Sequence, residues 1–138
     1  LVPRAGWQSL LGNLLDGPVD PRKINWFWSN GGNIGKSYFA NHWKPEESYV
    51  VNGGKHCDIY YALSTRMTSI RTVFFDFARM QESMPYVVME CLKNGRFTST
   101  KYESQAVLFN PVHVVVFSNA APDMNVFSLD RWNIQQLF

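Results

Sequence analysis

The stretch Ser29–Ser37 reads SNGGNIGKS and sets a lysine and a hydroxyl directly behind a cluster of glycines. In such a loop backbone N–H groups turn toward an anion, an ammonium reaches phosphate oxygens, and a hydroxyl ligates a hard divalent cation. Gly31, Gly32 and Gly35 supply the turning freedom, with Asn30, Asn33 and Ile34 between and beside them. Lys36 is the cation for the β and γ phosphates of a nucleotide, and Ser37 the Mg²⁺ ligand. The pattern GxxxxGK[ST] asks for glycine at position 30, where this chain has Asn30. Asn adopts positive φ more readily than most residues, so the loop conformation stays accessible. An ordinary glycine turn is the competing reading.

Two further polar residues close apolar runs. Asp76 ends TVFFD, where a carboxylate emerging from a buried strand can hold Mg²⁺, orient an attacking water, or do both. Its bland alternative is a strand-end Asp that caps the next helix. Arg79 follows three residues later, as a neighbour of that site or a solvated surface residue. Asn119 ends VHVVVFSN and can meet a γ-phosphate or the lytic water, or simply form the turn before AAPD. Between these runs, KNGRFTSTKYESQ places Lys93, Arg96 and Lys101 in a hairpin-like pattern beside Tyr102, which can stack on a base or pack at an edge. His42, His56 and His113 are isolated, and His113 reads as a structural histidine within its strand. Cys57 and Cys91 show no CxxC spacing, which argues against structural zinc and a disulfide framework and for a reducing compartment.

The elements that must position these groups alternate between strand and helix. WQSLLGNLLDG reads as an amphipathic helix ending at Gly17-Pro18, and PVDPRK as a linker. INWFWS is a strand with Trp26 and Trp28 on one core face, KSYFANHW a helix, SYVVNG a strand and CDIYYAL a helix. RTVFFDF is a buried strand, a helix lies near PYVVMECLKNG, RFTSTKY and SQAVLF pair as a hairpin, and VHVVVFSN is another buried strand. This is the pattern of an α/β fold with a mainly parallel sheet. With 138 residues and 46% hydrophobic residues, the chain makes one domain with a sizeable core. A net charge of +2 gives a single copy no strong basic field, so nucleic-acid binding would need several copies. No apolar run reaches a membrane span and no signal peptide is visible, so no membrane partner is expected. Leu1–Arg4 (LVPR) resemble a protease-recognition tag remnant and carry no functional assignment.

The ordered set Trp7-Gln8, INWFWSNGGNIGKS, GGKHCDI, FFDFAR, KNGRFTSTKYES, VVVFSNAAP and LDRW resembles the superfamily 3 helicase domain of replication-initiator (Rep) proteins from circular single-stranded DNA (CRESS-DNA) viruses. The resemblance covers nearly the whole chain. It implies a P-loop NTPase of AAA+ type, with helices flanking the sheet and a short N-terminal helical segment. Residues 1–23 would form part of the oligomerisation region and 24–138 the ATPase domain. ATP and Mg²⁺ would be the cofactors, and hydrolysis would drive 3′ to 5′ translocation on single-stranded DNA and the unwinding of DNA during rolling-circle replication by a homo-oligomer, a hexameric ring. The rest of such a protein carries a rolling-circle endonuclease domain, and the host cell nucleus is the implied location. Asp76 takes the Walker B place, with one acid where many members have two. Asn119 takes the motif C sensor place and Lys101 that of the channel lysine in motif B′, with Lys93 and Arg96 nearby. Arg131 in SLDRW stands at a spacing similar to the arginine finger of the family; a surface pair with Asp130 or a helix-end charge is the alternative. An adenine would lie near Trp7 or the linker DPRK. Two other functions fit the same residues, a superfamily 3 RNA helicase of an RNA virus and a nucleotide-gated binding ring with weak hydrolysis; a nucleotide kinase fits less well because no arginine-rich lid is present.

Overall fold

Ile24–Trp28 (β1) alternates so that Ile24 and Trp26 face one side of the sheet and Asn25 and Phe27 the other. The same alternation runs through Thr72–Asp76 (β3) and His113–Ser118 (β6), where Val73, Phe75, Val114 and Val116 join the first face and Phe74, Val115 and Phe117 the second. Because both faces are covered, these strands read as nearly unbroken apolar runs. The computed structural model describes residues 1–31, 34–77 and 84–137.

With Ser48–Val51 (β2) and Trp132–Gln136 (β7), the three strands form a five-stranded sheet in the order β2-β3-β6-β1-β7, every neighbouring pair parallel. Helices Trp7–Asp16 (α1) and Lys36–His42 (α2) bury Leu11, Leu15, Phe39 and Ala40 against the second face. Helices His56–Ser64 (α3) and Tyr86–Asn94 (α4) bury Ile59, Leu63, Val88, Met89 and Leu92 against the first. Each fully buried Phe or Leu contributes roughly 1.5–3 kcal/mol of apolar transfer, so these two layers fix which face each strand residue takes. The apolar side of α1 is spent on this chain's own sheet.

Arg96–Ser99 (β4) and Gln105–Leu108 (β5) make the antiparallel hairpin expected from their alternation, set against α3 by the stacking of Phe97 on Tyr60 at 4.9 Å. Gly95 ends α4 at φ +79°, where a Cβ would lie 2.5 Å from the Phe109 carbonyl, so the hairpin can start there only from glycine. β7 is the element the sequence pattern does not announce. WNIQQ is half polar, and its Asn133 is stabilised by donating to Asn25 Oδ1 (2.8 Å) on β1.

Candidate functional site

β1 and β6 finish side by side, and Ser29 N donates to Ser118 O (3.2 Å) just beyond them. The Ser29 hydroxyl donates to Gly31 O (2.7 Å), which pins the start of the glycine loop. Gly35 takes φ +90° and hands the chain to α2, placing Lys36 and Ser37 in the first turn. A Cβ on Gly35 would stand 2.8 Å from Gln8 Nε2, so α1 closes the loop from behind.

The Lys36 ammonium is buried and donates to Ser29 Oγ (2.9 Å), Ser118 O (3.0 Å) and Asn119 Oδ1 (3.4 Å). All three acceptors are uncharged. Burial therefore pushes the Lys36 pKa below its ordinary value, opposed by the field of Asp76. Asp76, also buried, is the last residue of β3 and pairs with Phe117 on β6. Ser37 is half-buried, and its carbonyl accepts from Asn41 Nδ2 (2.9 Å). The structure thus brings Lys36, Asp76 and Asn119 to the finishing ends of adjacent strands, with Ser37 next to Lys36 at the start of α2. Asn30 and Gly31 are exposed, and Ile34 is half-buried. Gly32, Asn33 and Arg79 lie outside the described residues. Among the described residues no group of three or more His, Cys, Asp or Glu side chains is placed to hold a metal ion. One carboxylate and one hydroxyl fit Mg²⁺, which keeps most of its waters and takes few protein ligands.

A cavity of about 270 Å³ opens beside the loop between Ser29, Asn30, Gly31 and Ile34 on one side and Gln136 and Leu137 on the other. Leu137 N donates to Trp28 O (2.7 Å), which ties the end of β7 to this corner. Trp7, one of the two positions expected for an adenine, packs in the same cluster as Ile34, which lines this cavity. Trp7 packs on the rings of Phe27, Phe39 and Phe117, and the linker before β1 lies at the opposite end of the sheet.

Of the basic residues expected on the hairpin, Arg96 is exposed at the start of β4 and Lys101 sits in the loop that follows it, its ammonium 2.7 Å from Asp58 Oδ1. Lys93 is different: it is buried on the inner face of α4 and donates to Val112 O (2.8 Å). Desolvation brings its pKa down to about 8. Its ammonium faces the core, so it does not join Arg96 and Lys101 in offering charge to a nucleic acid. The spacing Met89, Leu92, Lys93 carries the signal, because positions three and four apart share one helix face.

Arg131 also departs from its expected place. It lies in the 3-10 turn Leu129–Arg131 just before β7, at the starting end of the strands and away from the glycine loop. Its guanidinium is buried, donates from Nε to Arg22 O (2.8 Å), stands 3.8 Å from Glu90 and covers the Phe127 ring at 4.9 Å. An arginine finger must protrude, and this one is committed inside its own chain. Nor does Arg131 pair with Asp130, which instead meets Arg22 at 3.0 Å. His113 is structural as expected: Nε2 donates to Gly17 O (3.2 Å), and burial lowers its pKa to about 4. Trp26 and Trp28 face the core, with Trp26 Nε1 donating to Ala120 O (2.8 Å).

Sequence reasoning missed Ser29. Its signal is a hydroxyl at the end of an apolar strand, seven residues before the lysine it receives.

No family model matches the chain. Among curated proteins it is 38% identical over 127 residues to the Para-Rep C1 of Faba bean necrotic yellows C11 alphasatellite, a match covering 91% of this chain and 44% of that protein. It is 36% identical over 132 residues to the master replication protein of Subterranean clover stunt virus (strain F), covering 94% and 44%. The corresponding protein of Faba bean necrotic yellows virus (isolate Syrian SV292-88) is 38% identical over 132 residues, with the same coverage. The chain spans less than half the length of these relatives. No helix among the described residues is long and apolar enough to cross a membrane. Over nearly all of its length, then, this chain is similar to a part, less than half, of the master replication and Para-Rep proteins of these viruses and alphasatellites.

Proposed function

We propose that this chain is the ATP-dependent helicase part of a viral replication initiator, an AAA+ ATPase that moves on single-stranded DNA. The observation that carries the reading is the buried Lys36 ammonium held by three neutral acceptors at the finishing ends of β1 and β6. A buried cation without a bonded carboxylate is poised to gain from an anion, and ligands of open α/β sheets bind at the carboxyl ends of the strands. The interposed strand β6 supports the same reading, because it brings Asn119 between the loop that follows β1 and the carboxylate of β3.

In this reading the glycine loop wraps the phosphates, and Lys36 exchanges its hydrogen bonds for phosphate oxygens. Ser37 and Asp76 would hold Mg²⁺, which when bound supplies charge neutralisation at the phosphates. Asp76 accepts a hydrogen bond from water, and Asn119 orients the same water or a terminal phosphate oxygen. The cavity bounded by Ile34, Gln136 and Leu137 is the adjoining space for the nucleoside. Arg96 and Lys101 contact the DNA backbone, their charge multiplied in a homo-oligomeric, hexameric ring. The endonuclease domain lies elsewhere in the whole protein, which acts in the host nucleus. Lys93 and Arg131 take no part in this machinery.

ATP binding and hydrolysis by Lys36→Ala and Asp76→Asn test the reading. The first variant should lose binding and turnover, and the second should bind ATP yet turn it over slowly. Wild-type hydrolysis by a folded Lys36→Ala would sink it. Stimulation by single-stranded RNA but not by DNA would replace the DNA track with an RNA one.

A further inference from the structure

Two tyrosines stand exposed where the hairpin loop meets α3. Asp58 and Tyr61 lie one turn apart on α3 and so share a face. The loop between β4 and β5 brings Lys101 and Tyr102 against that face. The Lys101 ammonium is 2.7 Å from Asp58 Oδ1, 5.7 Å from the centre of the Tyr61 ring and 5.9 Å from that of Tyr102. The two rings meet edge to face at 5.1 Å. Tyr61 is 39% exposed and Tyr102 80%, so neither ring is spent on the core. Tyr102 moreover holds φ +66°, a left-handed conformation that bulky L residues rarely take. Strain of this kind at an exposed aromatic points to a use for the ring outside the fold.

Asp58 meets Lys101 at 2.7 Å and lies also in the field of Lys55, the residue before α3. The Asp58 carboxylate therefore occupies the place on Lys101 that an anionic oxygen of a ligand would take, and an exposed pair of this type is weak enough to exchange.

We propose that α3 and the hairpin loop form one composite site for single-stranded DNA, in which Tyr61 and Tyr102 stack bases and Asp58 holds the Lys101 ammonium until a backbone phosphate displaces it. This rests on the reading of Lys101 as a DNA contact and adds to it a second element, α3, with an acidic competitor. Aromatic faces accept any base, and a duplex hides its bases, so the site selects single strands without selecting sequence.

Anisotropy of a fluorescein-labelled oligo-dT, titrated with the full chain at low and high salt, tests the proposal. Asp58→Asn should tighten binding several-fold at low salt, with the gain shrinking as salt screens the charges. Tyr61→Ala and Tyr102→Ala should each weaken it roughly ten-fold, while Tyr102→Phe retains it. Tyr102→Gly, which relieves the positive φ, should bind as poorly as Tyr102→Ala yet melt no lower than wild type. Unchanged or weaker binding by Asp58→Asn, wild-type binding by Tyr61→Ala, or equal competition by unlabelled duplex overturns the proposal. Should Lys101→Ala lose binding while the Asp58 and Tyr61 variants keep wild-type affinity, the DNA-contact reading stands and the composite site falls. If Lys101→Ala itself binds normally, the DNA-contact reading falls as well.

Discussion

Both ends of the five-stranded sheet enclose cations, but with different partners. At the starting end Lys93 donates to Val112 O, Arg131 to Arg22 O, and Arg71 to Gly17 O, which the neutral His113 also meets. These acceptors are backbone carbonyls fixed by the fold. At the finishing end Lys36 holds a hydroxyl, an amide oxygen and a single carbonyl, next to an exposed loop and a buried carboxylate. Two of its three acceptors are side chains that can turn away. Burial of a cation thus does not mark a functional site by itself; the exchangeability of what it binds does.

The largest test of this contrast is Lys36→Ala, which should cut ATP turnover by at least ~100-fold, as removal of a phosphate-stabilising donor does. Its thermal unfolding should stay near wild type, because a buried cation with uncharged partners adds little net stability. Turnover assays beside a melting curve check both halves.

Next comes pH. His113 titrates near pH 4 in the folded chain, lowered by burial and then by the neighbouring charges of Arg71 and Lys93, against an ordinary value of 6.5. Between those values the unfolded chain binds the extra proton. Stability is therefore full above about pH 6.5 and falls as pH drops toward 4, by at most about 3 kcal/mol. Urea titrations across that window should show the loss, and His113→Gln, which keeps a donor for Gly17 O, should flatten it.

Arg131→Ala should lower the unfolding free energy by about 2 kcal/mol through the lost bond to Arg22 O and the lost cover of Phe127. Turnover per folded molecule should not change. A folded variant with a collapsed rate would return Arg131 to the active site and erase the difference between the two ends.

The smallest effect is expected at the loop itself. Gly35→Ala keeps every functional side chain but places a Cβ at φ +90° against Gln8, costing about 1 kcal/mol of stability. Nucleotide affinity should fall with it, and unchanged affinity would show that α1 does not brace the loop.

How much of this was legible in the sequence follows the same division. β1, β3 and β6 are readable because strands covered on both faces must be apolar throughout; Asp76 and Asn119 sit at or just past the end of such a run, and Lys36 follows β1 across the glycine loop. β7 was not, because an edge strand needs less apolar surface and WNIQQ settles its polar side chains locally, as Asn133 does on Asn25. Lys93 and Arg131 misled for a shared reason. Local spacing reports residue type, whereas the partners that absorb these cations, Val112 O and Arg22 O, come from 19 and 109 residues away.

The interposition of β6 sets a gauge. Neighbouring strands stand about 4.8 Å apart, so the strand that leads into the glycine loop and the strand that ends in Asp76 are separated by about 10 Å of hydrogen-bonded backbone. Both flanks of β6 are bonded along their whole length, and this gap cannot widen or narrow without breaking a ladder. Any tightening of Lys36 and Asp76 around a ligand must then come from side-chain reach and loop movement, with the sheet acting as a rigid frame. Bulk added to or removed from Phe117, which lines this spacer, would accordingly shift both poles together and leave their separation unchanged.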